Sequence, residues 1–212
     1  MDGKVILITG AAGTGKSTLA RSLRSTAKPF ELLDYGDLLL KYKAQHCGQQ
    51  MTYDELRRDS AAVIASADVF AVDKWVIDQL PKWRSESNIL IDSHPVTKET
   101  FGFRVTPFSE SQIRQIAFDV VIVLVGDPSK LASRIERNPQ GRPLVTEFQA
   151  SFQVQLQAAI ATFYAITCGR ACFAIDTTEL NQKQVLETAL NLLEQAGVPF
   201  ERTAGSKVGI RH

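Results

Sequence analysis

The chain has 212 residues, 44% of them hydrophobic and 22% charged, with a net charge of +1, which is enough for one well-buried α/β domain and short of two independent cores. The near balance of charge removes the strong field that gathers nucleic acid or an anionic membrane, and no apolar run approaches the ~20 residues that cross a bilayer. Its three cysteines, Cys47, Cys168 and Cys172, form no C-x-x-C pair and have no histidine at zinc-ligand spacing, so neither a disulfide framework nor a structural metal is expected.

Met1-Asp2-Gly3-Lys4 leads directly into the apolar run Val5 to Ile8 without the layout of a signal peptide. The expectation is therefore a cytoplasmic protein. Val5 to Ile8 reads as the first strand. Immediately after it, Gly10 to Ser17 is Gly-Ala-Ala-Gly-Thr-Gly-Lys-Ser, of the form G-x-x-x-x-G-K-[ST]. A triphosphate needs many converging donors with no side chain in the way. Gly10, Gly13 and Gly15 let the N–H groups of this loop, including those of Thr14 and Thr18 at its end, turn inward toward the positive end of a following helix. Lys16 adds a mobile charge for the β and γ phosphates, and the Ser17 hydroxyl suits Mg²⁺. Leu19 and Leu23, four apart, continue the segment as a helix.

Four later segments have the β-branching and length of strands: Phe30 to Leu33, Ile89 to Ile91, Val120 to Val125 and Cys172 to Ile175. Helical stretches alternate with them, which predicts a parallel sheet, and unbroken apolarity predicts that both sheet faces are covered. Asp37 to Ala44 reads as a helix, Thr52 and Glu55 as a capping box opening another, and Asp68 to Trp83 as a third with Val69, Val72, Val76 and Leu80 on one stripe. Ser93 to Ser109 lacks periodicity and reads as a long functional loop. Ser109 opens a short helix, and Pro128 occupies the first turn of the next. Asn138 to Pro143 reads as a turn, and helices are expected over Val145 to Thr167 and Asn181 to Ala196. From Gly197 onward the sequence reads as a loose tail.

Several residues carry candidate chemistry. Asp92 closes the third strand at the carboxyl edge, where open α/β sheets bind ligands; beside the first strand it would assist Mg²⁺ opposite Ser17, and otherwise it caps the next element. His94 reads equally as a substrate contact or a solvated loop histidine. Arg57 and Arg58 suit either a solvated helix face or an acceptor's phosphate. Arg134, Arg137 and Arg142 cluster around the Pro-Gly break, where a short flap could close over a transferring phosphoryl group. Phe101, Phe103 and Phe108 could stack on a base or pin the loop, whereas Trp75 and Trp83 read as packing.

Together these residues resemble the archaeal-type adenylate kinase family of P-loop nucleotide kinases, which includes relatives acting in ribosome biogenesis. The resemblance runs from Lys4 to about Ala196 and rests on Gly10 to Ser17, Tyr35-Gly36-Asp37, Asp54-Glu55-Leu56-Arg57 and Asp92-Ser93-His94. It implies a three-layer α/β P-loop fold, with a five-stranded parallel sheet, helices on both faces and a short lid. One domain over 1–196 is implied, with a nucleoside-monophosphate region at about 36–83, a lid at about 134–146 and a tail over 197–212. It further implies ATP as donor, Mg²⁺, and a nucleoside monophosphate, usually AMP, as acceptor. Lys16 and Ser17 would serve the donor phosphates and metal, Asp92 would assist the metal, and Gly36, Asp37, Arg57 and His94 would line the acceptor side. Arg134 and Arg137 would come from the flap. The run Pro95 to Arg104 departs from the family's Thr-Pro-Lys-Gly-Tyr-Leu-like sequence in the loop that selects the base, and the flap lacks the Arg-x-x-Arg-Asp order. A P-loop kinase for another small acceptor and an ATP-dependent assembly factor with weak ATPase activity stand as alternatives.

Overall fold

A computed structural model describes residues 2–203. In chain order its elements are β1 (Val5–Gly10), α1 (Lys16–Thr26), β2 (Ala27–Lys28), β3 (Phe30–Asp34), α2 (Tyr35–Cys47), α3 (Tyr53–Arg58), α4 (Ser60–Val63), α5 (Ser66–Arg84), β4 (Asn88–Asp92), β5 (Val96–Glu99), β6 (Gly102–Val105), α6 (Glu110–Ile116), β7 (Val120–Val125), α7 (Pro128–Arg137), α8 (Glu147–Cys168), β8 (Cys172–Asp176), α9 (Gln182–Gln195) and β9 (Glu201–Arg202). Five strands form a sheet in the order β3-β4-β1-β7-β8, and every pairing in it is parallel.

Period-2 alternation explains why the central strands are apolar throughout. Val5 and Leu7 point into one core with α5, α6 and α8, while Ile6 and Ile8 point into a second core with α1 and α9. Each strand thus feeds two hydrophobic layers, which favours apolar side chains on both faces. The helix starts follow local chemistry. Thr52, Ser109, Thr146 and Asn181 each close a reciprocal capping box, and the Asp127 side chain caps α7 with Pro128 in its first turn. Among the described residues no helix is long and apolar enough to cross a membrane.

Two expectations are corrected. Ser93 to Ser109 is not one irregular loop, since β5 and β6 pair antiparallel within it, Lys98 opposite Phe103. Strands of four residues with polar side chains carry no period to read. Those polar groups instead hold α4: the Glu99 carboxylate accepts from Ala61 N at 3.2 Å, and Arg104 Nη1 donates to Ile64 O at 2.7 Å. Nor do residues 198–203 hang loose. Val198 is buried in the second core, Asn88 Nδ2 donates to Pro199 O at 2.6 Å, and β9 pairs with β2. The rest of the expected tail, 204–212, lies outside the described residues.

Candidate active site

The parallel sheet places the carboxyl ends of β1, β3 and β4 side by side, with Ile8 opposite Asp92 and Asp34 opposite Asp92 in register. Over this edge opens a cleft of about 470 Å³. One end is the glycine-rich loop. Gly15 caps α1 at φ 89°, a left-handed value that favours glycine, and α1 has neither a side-chain cap nor an acidic residue in its first turn. Its first N–H groups are therefore left for an anion. Gly10, Gly13, Gly15, Lys16, Ser17 and Thr18 line this end. Thr14 does not: it is buried, and its hydroxyl donates to Ala11 O at 2.8 Å, bracing the loop from within.

Lys16 Nζ pairs with Asp92 Oδ1 and lies 3.4 Å from Ser17 Oγ. The other Asp92 oxygen, Oδ2, is buried and without a hydrogen-bond partner. A lysine, a hydroxyl and a carboxylate with a free oxygen on one side of the loop fit a Mg²⁺-nucleotide, whose cation would meet Ser17 and Asp92 while Lys16 turns to the phosphates. Among the described residues no cluster of three or more His, Cys, Asp or Glu could hold a metal alone.

The other end is walled by α2, α3, the β5–β6 hairpin and the flap. Asp34, which the sequence reading passed over, is its keystone. Its Oδ1 accepts from Gly36 N at 2.9 Å, capping α2, and from Tyr53 Oη at 2.6 Å, tying α3 to α2. Gly36 lies so close under Tyr53 that a Cβ would stand 2.1 Å from the phenol oxygen. An Asp at a strand end two residues before glycine is an N-cap signal that could have found it. Gly36, Arg57 and His94 line the cleft, whereas Asp37 is exposed outside its lining, near Arg21 and Lys41. Burial and the neighbouring Asp34 carboxylate raise the Asp37 pKa.

The flap arginines separate. Arg134 lines the donor end and donates to Gly13 O at 3.4 Å and Thr177 O at 3.2 Å. Arg137 is exposed at the end of α7 and outside the cleft lining, so the structure does not bring it to the other candidates. Arg142 takes that place. It lines the cleft opposite Arg57, and burial together with the Arg57 charge depresses its pKa. The turn that delivers it holds Gly141 at φ 76°, where a Cβ would meet Asp54 O at 2.4 Å, so the flap rests directly on the α3 backbone. Arg57 lies 4.4 Å over the Tyr53 ring, and its nearest carboxylate, Asp54, is 3.9 Å away. Two guanidinium groups close enough to act on one another, with so little counter-charge, suit an anion. His94 is enclosed by the same walls but open to the cleft; desolvation first, then Lys16 and the two arginines, hold its pKa well below the usual value, so the ring is neutral.

Of the aromatic candidates, Phe108 is buried against Tyr35 and Tyr164 and borders the cleft. Phe101 is exposed at the hairpin tip, and Phe103 packs on Phe152. Trp75 and Trp83 pack edge to face. Arg58 is exposed and paired with Asp59.

The AAA domain family matches residues 9–149. No curated protein matches the chain. Among solved structures, a thymidylate kinase from Candida albicans is 15% identical over 96% of this chain and 99% of its own, with a TM-score of 0.57. A shikimate kinase from Bacteroides thetaiotaomicron is 19% identical over 92% of this chain and 98% of its own, with a TM-score of 0.52. A tunicamycin resistance protein from Deinococcus radiodurans is 14% identical over 93% and 98%, with a TM-score of 0.53. These likenesses establish the three-layer P-loop kinase fold with its five-stranded parallel sheet. They do not single out the archaeal-type adenylate kinases.

Proposed function

This chain belongs to the AAA domain family, and from that premise we propose that it transfers the γ-phosphoryl group of ATP to a nucleoside monophosphate. The observation that carries the reading is the two-ended cleft. A phosphate-binding loop with Lys16 and Asp92 lies at one end, and Arg57 and Arg142 converge on the other. Residues of about 36–83 form the acceptor side and those of about 134–146 the lid.

Lys16 and the α1 N-terminus hold the donor phosphates, while Arg134 braces the loop at Gly13. Arg57 grips the acceptor phosphate, and Arg142, brought in by the flap, neutralises charge on the group in transit and excludes water. Ser17 and Asp92 would hold a Mg²⁺ ion, which when bound would neutralise charge on the phosphate oxygens. No general base is required, because a monophosphate acceptor already presents an anionic oxygen. An assay of ADP release with Mg²⁺-ATP should show turnover stimulated by at least one of AMP, GMP, CMP, UMP or dTMP. Absence of stimulation by all five would reject the reading.

A further inference from the structure

Helix α8 runs for 22 residues with Glu147 as its only charge, whereas the 10 residues of neighbouring α7 carry Lys130, Arg134, Glu136 and Arg137. One side of α8 is spent on the sheet, where Gln153, Gln157, Ala161 and Tyr164 are buried. The opposite side is open. Phe148, Phe152, Gln155, Ala159, Thr162 and Ile166 are all exposed, at steps that alternate between four and three residues. That is the 3.5-residue repeat of a seam between two helices. Phe163 is exposed beside Thr162 on the same stripe.

The large side chains of the stripe remain well open to water: Phe148 is 78% exposed, Phe152 46%, Phe163 49% and Ile166 71%. With about 200 Å² to a large side chain, they present roughly 450 Å² of apolar surface, a size at which a contiguous patch marks an interaction site. Toward its start the stripe continues through Phe152 onto Phe103 of the β5–β6 hairpin, the two rings 5.4 Å apart.

The pattern matches itself when reversed. An antiparallel copy related by a two-fold axis near Gln157 would set Phe148 against Ile166 of the partner subunit, Phe152 against Phe163 of the partner subunit, and Gln155 against Ala159 of the partner subunit. Large apolar groups then meet at both ends, and an amide meets a methyl group at the middle, where the helix axes must come close. A two-fold interface demands this self-complementarity of one surface. No charge is desolvated along the seam, because Glu147 falls at its rim. A stable pair takes about 800 Å² from each partner. The four large side chains supply more than half of it, and Gln155, Ala159, Thr162 and Phe103 lie alongside over a stripe about 27 Å long. The described chain ends after β9, which pairs with β2 on the α1 and α9 side of the sheet, so the segment that follows starts from the face opposite α8. We propose that this chain pairs with a second copy through α8, antiparallel and about a two-fold axis near Gln157.

Sedimentation equilibrium of the full chain over about 1–100 µM should give twice the monomer mass, with a dissociation constant in the micromolar range or below. Ala159→Glu brings two carboxylates together near the axis and should weaken pairing by about 100-fold or more, as juxtaposed like charges do. Thr162→Lys, at a second exposed position, should weaken it likewise, and both variants should keep the circular dichroism of the unaltered protein. Adding Gln155→Lys to Ala159→Glu should recover most of the loss, since the antiparallel register sets each introduced amine against the partner's introduced carboxylate. A monomer at every concentration would overturn the proposal, and co-sedimentation of that monomer with phosphatidylcholine vesicles would assign the stripe to a membrane instead. A dimer that neither single variant weakens, or that the added Gln155→Lys fails to rescue, would overturn it as well.

Discussion

Lys16 and Asp92 form an ion pair at the adjoining ends of α1 and β4, their side chains 10% and 1% exposed. On the proposed reading, Lys16 would leave this carboxylate for the phosphates when a nucleotide binds. Lys16→Met should lower kcat by about 10²–10³, as loss of a transition-state donor does. It should also destabilise the fold by up to about 3 kcal/mol, because Asp92 is left buried and uncompensated. Adding Asp92→Asn should restore much of that stability in a thermal melt while activity stays lost.

Arg142 and Arg137 should behave differently although both sit near the flap. Arg142 lines the cleft within reach of the Arg57 charge, whereas Arg137 is exposed at the end of α7. Arg142→Ala should lower kcat/KM for the acceptor by about 10- to 100-fold, as expected for a lost charged hydrogen bond. It should leave the melting temperature unchanged or raised, since a like-charge contact is relieved. Arg137→Ala should remain within about 2-fold in both readouts, a surface change having little effect. Steady-state kinetics on both variants checks the assignment.

Gly141 permits the flap to rest on α3. With a Cβ the flap would collide with the Asp54 backbone, and a left-handed φ adds strain. Gly141→Ala should hold the lid open, lowering transfer and raising the share of ATP lost to water. Comparing ADP formed with phosphate released would reveal that shift.

Asp73 gives a pH signature. Its carboxyl titrates near 6 in the folded protein against an ordinary value of 3.8, so between those values the native state holds a proton that the unfolded chain has released. The contribution of Asp73 to stability is then most favourable below about pH 4, falls as pH rises toward 6, and levels off above. Asp73→Asn should be the more stable protein at pH 7.5, by at most about 3 kcal/mol, with the gap closing toward pH 4. Denaturant melts of both proteins across that range test the sign.

Where local chemistry decides the structure, the sequence was legible. The run Val120 to Val125 is a strand over the same six residues, because an unbroken apolar, mostly β-branched segment suits a sheet covered on both faces. Thr52 and Ser109 mark helix starts because a capping box is complete within four residues. The β5–β6 hairpin was hidden because Glu99 and Arg104 are polar in order to hold α4, forty residues earlier. Which flap arginine enters the cleft depends on the Gln140-Gly141 turn, with φ values of 46° and 76°, and not on helix spacing. Asp73 did leave a signal: an acidic residue on the apolar stripe of α5. The groups that act on it, Tyr35 and Gln112, come from α2 and α6.

The central claim is phosphoryl transfer to a nucleoside monophosphate, and the fate of the γ-phosphate tests it most directly. With γ-labelled ATP, Mg²⁺ and the nucleotide that best stimulates ADP release, the label should appear in the nucleoside diphosphate in amounts matching the ADP formed, and Lys16→Met should abolish it. Label recovered only as inorganic phosphate, whatever acceptor is supplied, would contradict the account.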